Sequence, residues 1–393
     1  MTERPVVRWT EGGEALTARW HSERGAPPSA RVVVADDQTR ADDAYGLACQ
    51  GTALLWRGDF QNARQLLVAL ASRADRPPRK PKKSAAPAAP PSTSPAEAFH
   101  LLRQARSQRA RTLGMLLIPL DEDYGIPLRR APDIRRACAE AWGPGEGPSV
   151  ASLRELLGII GAHEWRLKGI DIPAAGGRIH PHYGVFAPIR REYVDLVAKA
   201  PLLAALLSSG VAFDIGTGTG VLAAVLARRG IRRVVATDQD PRALACAREN
   251  LERLGLAEQV ELVQADLFPE GRAALVVCNP PWIPARPSSP IEHGIYDPDS
   301  RMLRGFLGAL PAHLEAGGEG WVILSDLAEH LGLRSRSELL AAFDAAGLEV
   351  VERIDARPNH PRASDDTDPL HTARAAEITS LWRLAVRDRA QRE

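Results

Sequence analysis

The tetrapeptide Asn279-Pro280-Pro281-Trp282 follows the apolar run 274–278 and combines residue types that could act on a planar nitrogen group. The side-chain oxygen of Asn279 and the main-chain carbonyl of Pro280 can each accept an N–H hydrogen bond, so together they could hold both N–H bonds of one nitrogen. Two prolines restrict the backbone and keep these acceptors in place. Trp282 offers a flat face on which a planar group could stack. Seen alone, the two prolines would indicate only a loop that ends a strand.

A glycine-rich motif, Asp214-Ile215-Gly216-Thr217-Gly218-Thr219-Gly220, precedes this tetrapeptide and separates an apolar strand from an apolar helix. Its glycines allow main-chain N–H groups and a helix N-terminus to approach a ligand, because no Cβ atom stands in the way. The dinucleotide fingerprint is Gly-x-Gly-x-x-Gly, and Val221 stands where its third glycine would be. The motif therefore suits a bound nucleoside but departs from the dinucleotide pattern.

Acidic residues follow the next two predicted strands. Asp238 ends the strand 233–237, where a carboxylate can accept both hydrogen bonds of a ribose diol. Asp240 is close enough to take that role, although Asp240-Pro241 is also a typical helix start. Asp266 follows the third strand, where capping or turn formation is the alternative role. Because ligands bind at the carboxyl ends of strands in open α/β sheets, the ordered series predicts one site.

The elements that must position these residues alternate between strands and helices from Pro201 onward. Strands are predicted at 211–213, 233–237, 260–263, 274–278, 320–324, 348–354 and 377–384, and helices at 221–229, 241–254, 301–314 and 336–346. Such alternation indicates an α/β fold with a doubly wound, Rossmann-like sheet of seven strands and helices on both faces. This domain is expected to span residues 201–388.

A mainly helical N-terminal region and a β-hairpin are predicted to precede the sheet. Residues 1–75 are expected to form a small unit in which one strand, 31–35, is followed by a pair of helices. Residues 76–96, rich in proline, lysine and alanine, are predicted to be a flexible linker. Residues 97–165 are helical in character, and residues 166–200 are predicted to contain the hairpin and the segment that leads into the sheet.

Composition narrows the class of protein. The 393 residues are 45% hydrophobic and 25% charged, which is typical of a globular protein with two or three domains. A net charge of +1 provides no global attraction to nucleic acid or membrane. No signal peptide and no apolar run of about 20 residues is evident, so a cytoplasmic location without membrane partners is expected. The four cysteines lack metal-site spacing, and no metal is expected.

In their order and spacing, the two motifs resemble those of class I S-adenosylmethionine-dependent N-methyltransferases. The stretch Asn279-Pro-Pro-Trp-Ile-Pro284 is similar to the Asn-Pro-Pro-Tyr-Ile-Pro of the release-factor glutamine methyltransferases, with Trp in place of Tyr. The resemblance covers about residues 165–384, but the Pro-Arg-x-Glu-Thr of that family is replaced here by Pro188-Ile-Arg-Arg-Glu192. It implies S-adenosyl-L-methionine as cofactor, whose cationic sulfonium would lie near an acidic residue.

The resemblance also implies a role for each motif residue. Asp214 would help to hold the methionine end of the cofactor, Asp266 would accept a hydrogen bond from the adenine amine, and Leu267 would pack on the adenine ring. The predicted cofactor-binding residues are Asp214, Gly216, Thr217, Gly218, Gly220, Asp238, Asp266, Leu267 and Asn279. The predicted catalytic residues, here termed the NPPW motif, are Asn279, Pro280, Pro281 and Trp282.

Three hypotheses for the substrate remain open from the sequence. The first is transfer of methyl to a glutamine side-chain amide, at N5, in a protein related to translation. The second is methylation of adenine N6 in rRNA or tRNA, where the NPPW motif would receive a flipped-out base. The basic stretches 79–83 and 103–111 favour RNA, whereas the near-neutral charge and Ile283-Pro284 favour protein. The third hypothesis is a non-catalytic adaptor, which two intact motifs disfavour.

Overall fold

The computed structural model describes residues 5–76, 94–203, 206, 210–358 and 368–387. The chain divides into two compact units, residues 1–93 with 97–164 and residues 94–96 with 165–393. Within the described ranges, no helix combines the length and apolar character needed to cross a membrane. Most of the predicted linker, from residue 77 to 93, lies outside the described residues.

The first unit is built on a mixed six-stranded sheet in the order β1-β2-β6-β5-β4-β3. Its strands are β1 (Val6–Glu11), β2 (Glu14–His21), β3 (Arg31–Ala35), β4 (Thr52–Trp56), β5 (Leu116–Leu120) and β6 (Ser149–Ser152). The helices in this part of the chain are α1 (Ala41–Cys49), α2 (Phe60–Ala74), α3 (Pro95–Leu113), α4 (Arg135–Trp142) and α5 (Leu153–Lys168). Strands β1 and β2 and strands β5 and β6 pair antiparallel, and the other neighbours are parallel.

This sheet changes the predicted division of the N-terminal half. The sequence predicts a unit at 1–75 separate from a helical region at 97–165, whereas β5 and β6 from the second stretch pair with β4 and β2 from the first. The helices and β3 are found close to their predicted places. The other strands were not predicted, and β4 and β5 show why, because each is a short, fully buried apolar run. Periodicity alone does not distinguish such a run from a buried helical turn.

The second unit begins with a short antiparallel hairpin, as predicted, and continues into an alternating series of strands and helices. Its strands are β7 (Ile170–Ile172), β8 (Gly177–Ile179), β9 (Val211–Ile215), β10 (Arg233–Asp238), β11 (Val260–Gln264), β12 (Ala273–Cys278), β13 (Leu314–Ser325), β14 (Leu348–Ala356) and β15 (Thr379–Val386). The described helices are α6 (Glu192–Lys199), α7 (Val221–Arg228), α8 (Pro241–Arg253), α9 (Arg301–His313), α10 (Leu327–His330), α11 (Arg336–Ala345) and α12 (His371–Ala376).

Strands β9 to β15 form the predicted seven-stranded sheet, in the order β11-β10-β9-β12-β13-β15-β14. The strands from β11 to β13 in this order are parallel, and β15 pairs antiparallel with both β13 and β14. Successive residues of β9 face opposite cores, since Ala212 packs with α6 and α7 while Phe213 packs with α9 and α11. Helices therefore cover both faces, which confirms the doubly wound architecture.

The strand order brings the predicted site residues to one edge of the sheet. In the parallel registers, Ile215 lies opposite both Thr237 and Cys278, and Asp238 lies opposite Gln264. The residues that follow β9, β10, β11 and β12 consequently leave the sheet side by side. Parallel strands that end together create the crevice in which open α/β sheets bind ligands.

Candidate active site

The glycine turn, residues 216–220, connects β9 to α7 through a set of main-chain hydrogen bonds. Thr217 N donates to Thr237 O of the neighbouring strand over 2.8 Å, and Gly220 N donates to Thr217 O over 2.9 Å. Gly218 has a φ of +57°, and a Cβ added there would meet no heavy atom within 4 Å. The turn is thus fixed by main-chain hydrogen bonds within itself and to β10, while the side of Gly218 that lacks a Cβ faces open space.

Asp214 holds the two ends of this turn together. Its Oδ2 atom accepts hydrogen bonds from Thr217 Oγ1 over 2.6 Å and from Ala223 N over 3.0 Å. The residue is only 1% exposed, and burial, with a smaller contribution from the charge of Asp238, raises its pKa to about 6. A carboxylate this costly to ionise is well suited to a cationic neighbour. Its predicted contact with the methionine end of a cofactor stays a prediction.

Asp238 lies at the end of β10, directly beside the glycine turn. Its Oδ2 atom accepts from Gly218 N over 3.0 Å, and its Oδ1 atom accepts from Asp240 N over 2.9 Å. Burial raises the pKa of Asp238. Asp240 instead caps α8, because its Oδ1 atom accepts from Arg242 N over 2.8 Å. The two alternatives from the sequence therefore separate, with Asp240 at the helix start and Asp238 at the turn.

The turn after β11 brings Asp266 and Leu267 to the same edge. The side chain of Asp266 is 72% exposed and lies 3.6 Å from the guanidinium of Arg301. Leu267 adopts a φ of +110°, and its carbonyl accepts a hydrogen bond from Thr237 Oγ1 in β10. The positive φ is costly for a branched residue and is held by this contact with the adjacent strand. Asp266 is therefore exposed, the backbone of Leu267 is fixed, and the Leu267 side chain packs against the core below α9. The adenine contacts of both residues stay predictions.

The NPPW motif follows β12, and its first and last side chains are joined. Trp282 Nε1 donates a hydrogen bond to Asn279 Oδ1 over 2.9 Å. The sequence treats Asn279 as an acceptor for a substrate and Trp282 as a stacking surface, each acting separately. In the structure the two side chains are joined by this hydrogen bond. The amide oxygen of Asn279 carries two lone pairs, and the indole N–H of Trp282 occupies one of them.

One face of Trp282 is covered by an arginine. The guanidinium carbon of Arg190 lies 4.8 Å from the centre of the indole ring. Arg190 Nε donates to Glu192 Oε1 over 2.6 Å, and Arg190 Nη1 donates to Glu377 Oε1 over 2.9 Å. Its partner Glu377 is 187 residues away, and no local pattern signals the pairing.

The polar segment 288–299 folds back along the NPPW motif. Ile283 and Tyr296 form a parallel bridge, and Asp297 N donates to Ile283 O over 2.9 Å. The buried carboxylate of Asp297 then accepts from the N–H groups of Met302 and Leu303 at the start of α9. This polar segment is therefore attached to the residue that follows the motif.

His182 does not join the strand-end residues. Its Nε2 atom lies 2.7 Å from Glu249 Oε2, and its main-chain N donates to Cys246 Sγ, so it ties the segment after the hairpin to α8. Among the described residues, no group of three or more His, Cys, Asp or Glu side chains could hold a metal ion.

Comparison with known families agrees with this geometry. Residues 176–344 match the family described as "Methyltransferase small domain". This segment is similar to that family, and the match covers less than half of the chain. The match contains the glycine turn, the strand-end carboxylates and the NPPW motif, and it ends before β14 and β15.

Two curated relatives illustrate the similarity of the methyltransferase domain. The ribosomal protein L11 methyltransferase of Pelotomaculum thermopropionicum is 53% identical over 149 residues, which is 37% of this chain and 40% of that protein. The release factor glutamine methyltransferase of Cereibacter sphaeroides is 35% identical over 159 residues, 37% of this chain and 55% of that protein. The chain thus spans about half the length of these relatives.

Among solved structures, the ribosomal protein L11 methylase of Lactobacillus delbrueckii subsp. bulgaricus aligns with a TM-score of 0.35 and 16% identity. The alignment covers 51% of this chain and 79% of that one. A likeness of this degree carries no information on substrate.

Proposed function

We propose that this protein is an S-adenosylmethionine-dependent N-methyltransferase that modifies a side-chain nitrogen of a protein. The observation that carries the proposal is the convergence, at adjacent strand ends, of the glycine turn, Asp238, Asp266 and Asn279. The glycine turn on one side and the acceptors of the NPPW motif on the other would provide the two halves of a group-transfer site.

The residues around the glycine turn fit the cofactor. The open side of Gly218 leaves space for a nucleoside, and Asp238 lies at the strand end where a ribose diol would be bound. Asp266 is exposed and able to accept a hydrogen bond from an adenine amine, with Leu267 next to it. Bound there, S-adenosylmethionine would supply a methyl group activated by the positive sulfur. The buried carboxylate of Asp214 would add a negative charge near the methionine end of the cofactor.

The NPPW motif would orient the accepting nitrogen. Asn279 Oδ1 has one lone pair left after the bond from Trp282, and the Pro280 carbonyl can provide a second acceptor. Two acceptors that hold both N–H bonds direct the nitrogen lone pair towards the methyl donor. A nitrogen that gains a methyl group must also lose a proton, which can pass to solvent after transfer. No strongly basic side chain is required for this order of events.

Protein is favoured over nucleic acid as the substrate. The relatives compared above carry the names of a ribosomal protein methyltransferase and a release factor methyltransferase. Arg190 covers one face of Trp282, which leaves less of the indole for stacking with a flipped base. The net charge of +1 also offers no long-range attraction to RNA. A glutamine amide of a translation protein is the specific target we propose, and adenine N6 is the alternative that the experiment below distinguishes.

The test is transfer of labelled methyl from S-adenosylmethionine to bacterial extract treated with either RNase or protease. We expect label in RNase-treated extract and its loss after protease treatment. The opposite result would assign the activity to RNA. Failure of the wild-type protein to bind the cofactor in calorimetry, together with no transfer, would overturn the proposal altogether.

Asn279→Ala tests the role of the NPPW motif. Loss of a positioning contact should reduce transfer by about a hundredfold, while cofactor affinity stays within a few-fold of wild type. Asn62→Ala, at an exposed asparagine in the first unit, is the matched control and should change neither quantity. Equal losses of transfer and cofactor affinity would place Asn279 in the cofactor half of the site.

A further inference from the structure

The aim of the Asn279 side chain depends on groups outside the motif. An amide can rotate by 180°, which exchanges its oxygen and its NH2 group. The indole N–H of Trp282 can only donate, so the atom that faces it over 2.9 Å must be the amide oxygen. This bond therefore fixes which end of Asn279 is the acceptor and where its second lone pair points.

The position of the indole ring is itself determined by its neighbours. Trp282 packs against both hydrophobic cores of the second unit, and the guanidinium of Arg190 lies over its ring at 4.8 Å. Tryptophan provides the strongest cation–π partner among the aromatic residues. A planar guanidinium stacked on the ring limits rotation of the indole and hence the direction of its N–H bond.

Arg190 is in turn held by groups with little exposure to solvent. Its three nitrogens donate to Glu192 Oε1, Glu377 Oε1 and Thr379 Oγ1, at 2.6, 2.9 and 3.4 Å. Glu192 is 8% exposed and Glu377 is 4% exposed. Ser325 Oγ donates to the same oxygen of Glu377. Charge-assisted bonds to buried carboxylates are among the stronger hydrogen bonds in proteins, and they fix the plane of the guanidinium.

We infer that Arg190 and Trp282 are positioning residues that aim Asn279. The glutamates that anchor Arg190 act on the accepting nitrogen through two intermediate contacts, Arg190 with Trp282 and Trp282 with Asn279. The inference rests on the proposed function, because it concerns the step that Asn279 would perform. Two properties of this chain are essential to it. The first is the indole N–H of Trp282, which a tyrosine would lack. The second is the planar guanidinium of Arg190 that stacks on the ring, which a lysine would lack.

Trp282→Phe removes the N–H donor and keeps an aromatic ring. We expect transfer of labelled methyl to extract protein, at saturating cofactor, to fall about tenfold, which corresponds to the loss of one hydrogen bond. Cofactor affinity, measured by calorimetry, should remain within twofold of wild type. Arg190→Lys should reduce transfer by a similar factor. Arg191→Lys, at the exposed neighbouring arginine, is the matched control and should leave the rate unchanged.

The double variant Arg190→Lys, Trp282→Phe distinguishes a relay from two separate effects. If Arg190 acts through the indole N–H, the double variant should be no slower than Trp282→Phe alone. Multiplication of the two single losses would overturn the relay. A wild-type transfer rate in Trp282→Phe would overturn the role of Trp282.

A spectroscopic measurement keeps the inference testable without a substrate. The indole ¹H–¹⁵N signal of Trp282, assigned by its disappearance in Trp282→Phe, should shift in both Asn279→Ala and Arg190→Lys. An unchanged signal in Arg190→Lys would refute the coupling between the two residues. Absence of cofactor binding and transfer by the wild-type protein, with the indole shifts as expected, would instead reject the proposed function and leave the contact geometry intact.

Discussion

Two alanine substitutions in the glycine turn should separate cofactor binding from folding. Gly218 and Gly220 both have positive φ, +57° and +80°. A Cβ at Gly218 would meet nothing within 4 Å, whereas a Cβ at Gly220 would lie 3.2 Å from both Cα and Cβ of Ala247 in α8. The two positions thus share a backbone cost and differ in what the added methyl group contacts.

The expected magnitudes follow from these contacts. An L-residue in the left-handed region costs about 1–2 kcal/mol at either position. Forcing a methyl group against the backbone of α8 adds about 1–3 kcal/mol for Gly220→Ala only. Gly218→Ala should therefore lower the free energy of unfolding by about 1–2 kcal/mol and Gly220→Ala by about 2–5 kcal/mol. In a domain of this size, each kcal/mol corresponds to roughly 2–4 °C in Tm.

Cofactor affinity should be reduced more by Gly218→Ala than by Gly220→Ala, the reverse of the order expected for stability. If the open side of Gly218 faces the bound nucleoside, its new methyl group occupies space that the ligand needs. An overpacking cost of about 1–3 kcal/mol raises the Kd for S-adenosylmethionine by about 5- to 150-fold. Gly220→Ala, assayed well below its Tm, should bind within a few-fold of wild type because its methyl group points at Ala247.

Thermal unfolding and isothermal calorimetry on the full chain give both quantities for each variant. Wild-type affinity in Gly218→Ala would refute the placement of the cofactor against the glycine turn. A Tm for Gly220→Ala equal to or above that of Gly218→Ala would refute the argument from the contact with α8.

Further predictions concern the carboxylates of the site. Asp240→Ala should lower the free energy of unfolding by about 1 kcal/mol through loss of a helix cap, and it should leave cofactor affinity unchanged. Asp238→Ala should raise the Kd for the cofactor about tenfold or more, because charge-assisted hydrogen bonds are lost. The opposite pattern, in which Asp240→Ala weakens binding and Asp238→Ala does not, would contradict the assignment. The pKa of Asp214 is about 6, raised from 3.8, so its ionisation opposes folding above pH 6 and this opposition is relieved as the pH falls. A cationic cofactor favours the ionised form of Asp214, whose fraction falls about fivefold from pH 6 to pH 5. The affinity for the cofactor, measured by calorimetry, should therefore fall by up to about fivefold over this range, and more weakly in Asp214→Asn. A cofactor affinity that stays constant between pH 5 and 8 in the wild-type protein would show that no such coupling exists. The raised pKa of Asp238 adds a pH dependence in the same direction.

The C-terminal fold could be predicted because its strands and strand ends carry strong local signals. Strand β12 consists of six fully buried residues and is followed at once by Asn279 and two prolines. Helix α8 begins at Asp240-Pro241, a cap followed by a proline in the first turn. Each of these elements has a local sequence signal at its boundary. The alternation of strands and helices, and with it the class of the sheet, can therefore be predicted from the sequence.

The N-terminal sheet escaped prediction for physical reasons. Strands β1 and β2 are joined by Gly12-Gly13, a two-residue hairpin signal, but most of their residues are half-buried or exposed, and tryptophan, arginine and glutamate are mixed along them. Strand β4 lies within the stretch predicted as a pair of helices, because its Leu54 and Leu55 also fit a helical pattern. A parallel strand buried on both faces has no alternation that would reveal it.

The site could be predicted only as far as its motifs are local. Spacing predicts the glycine turn, Asp238, Asp266 and Asn279 as site residues, and the resemblance to a family adds Leu267 and the adenine contact of Asp266. The bond between Trp282 and Asn279 depends on a rotamer, and the pairing of Arg190 with Glu377 depends on the completed sheet. Contacts of the second kind arise from tertiary packing and leave no trace in a short stretch of sequence.

The place of β15 in the sheet has a consequence for synthesis. Although it is the last strand of the sheet in chain order, β15 lies between β13 and β14 and pairs with both. During translation, β13 and β14 therefore leave the ribosome before the strand that joins them exists, and each presents an unpaired edge until β15 arrives. The anchor of Arg190 at Glu377 and Thr379 emerges at the same late stage. If Arg190 aims Asn279 as we propose, a nascent chain would contain both motifs before Asn279 is oriented, and the onset of activity would then depend on completed synthesis of the domain.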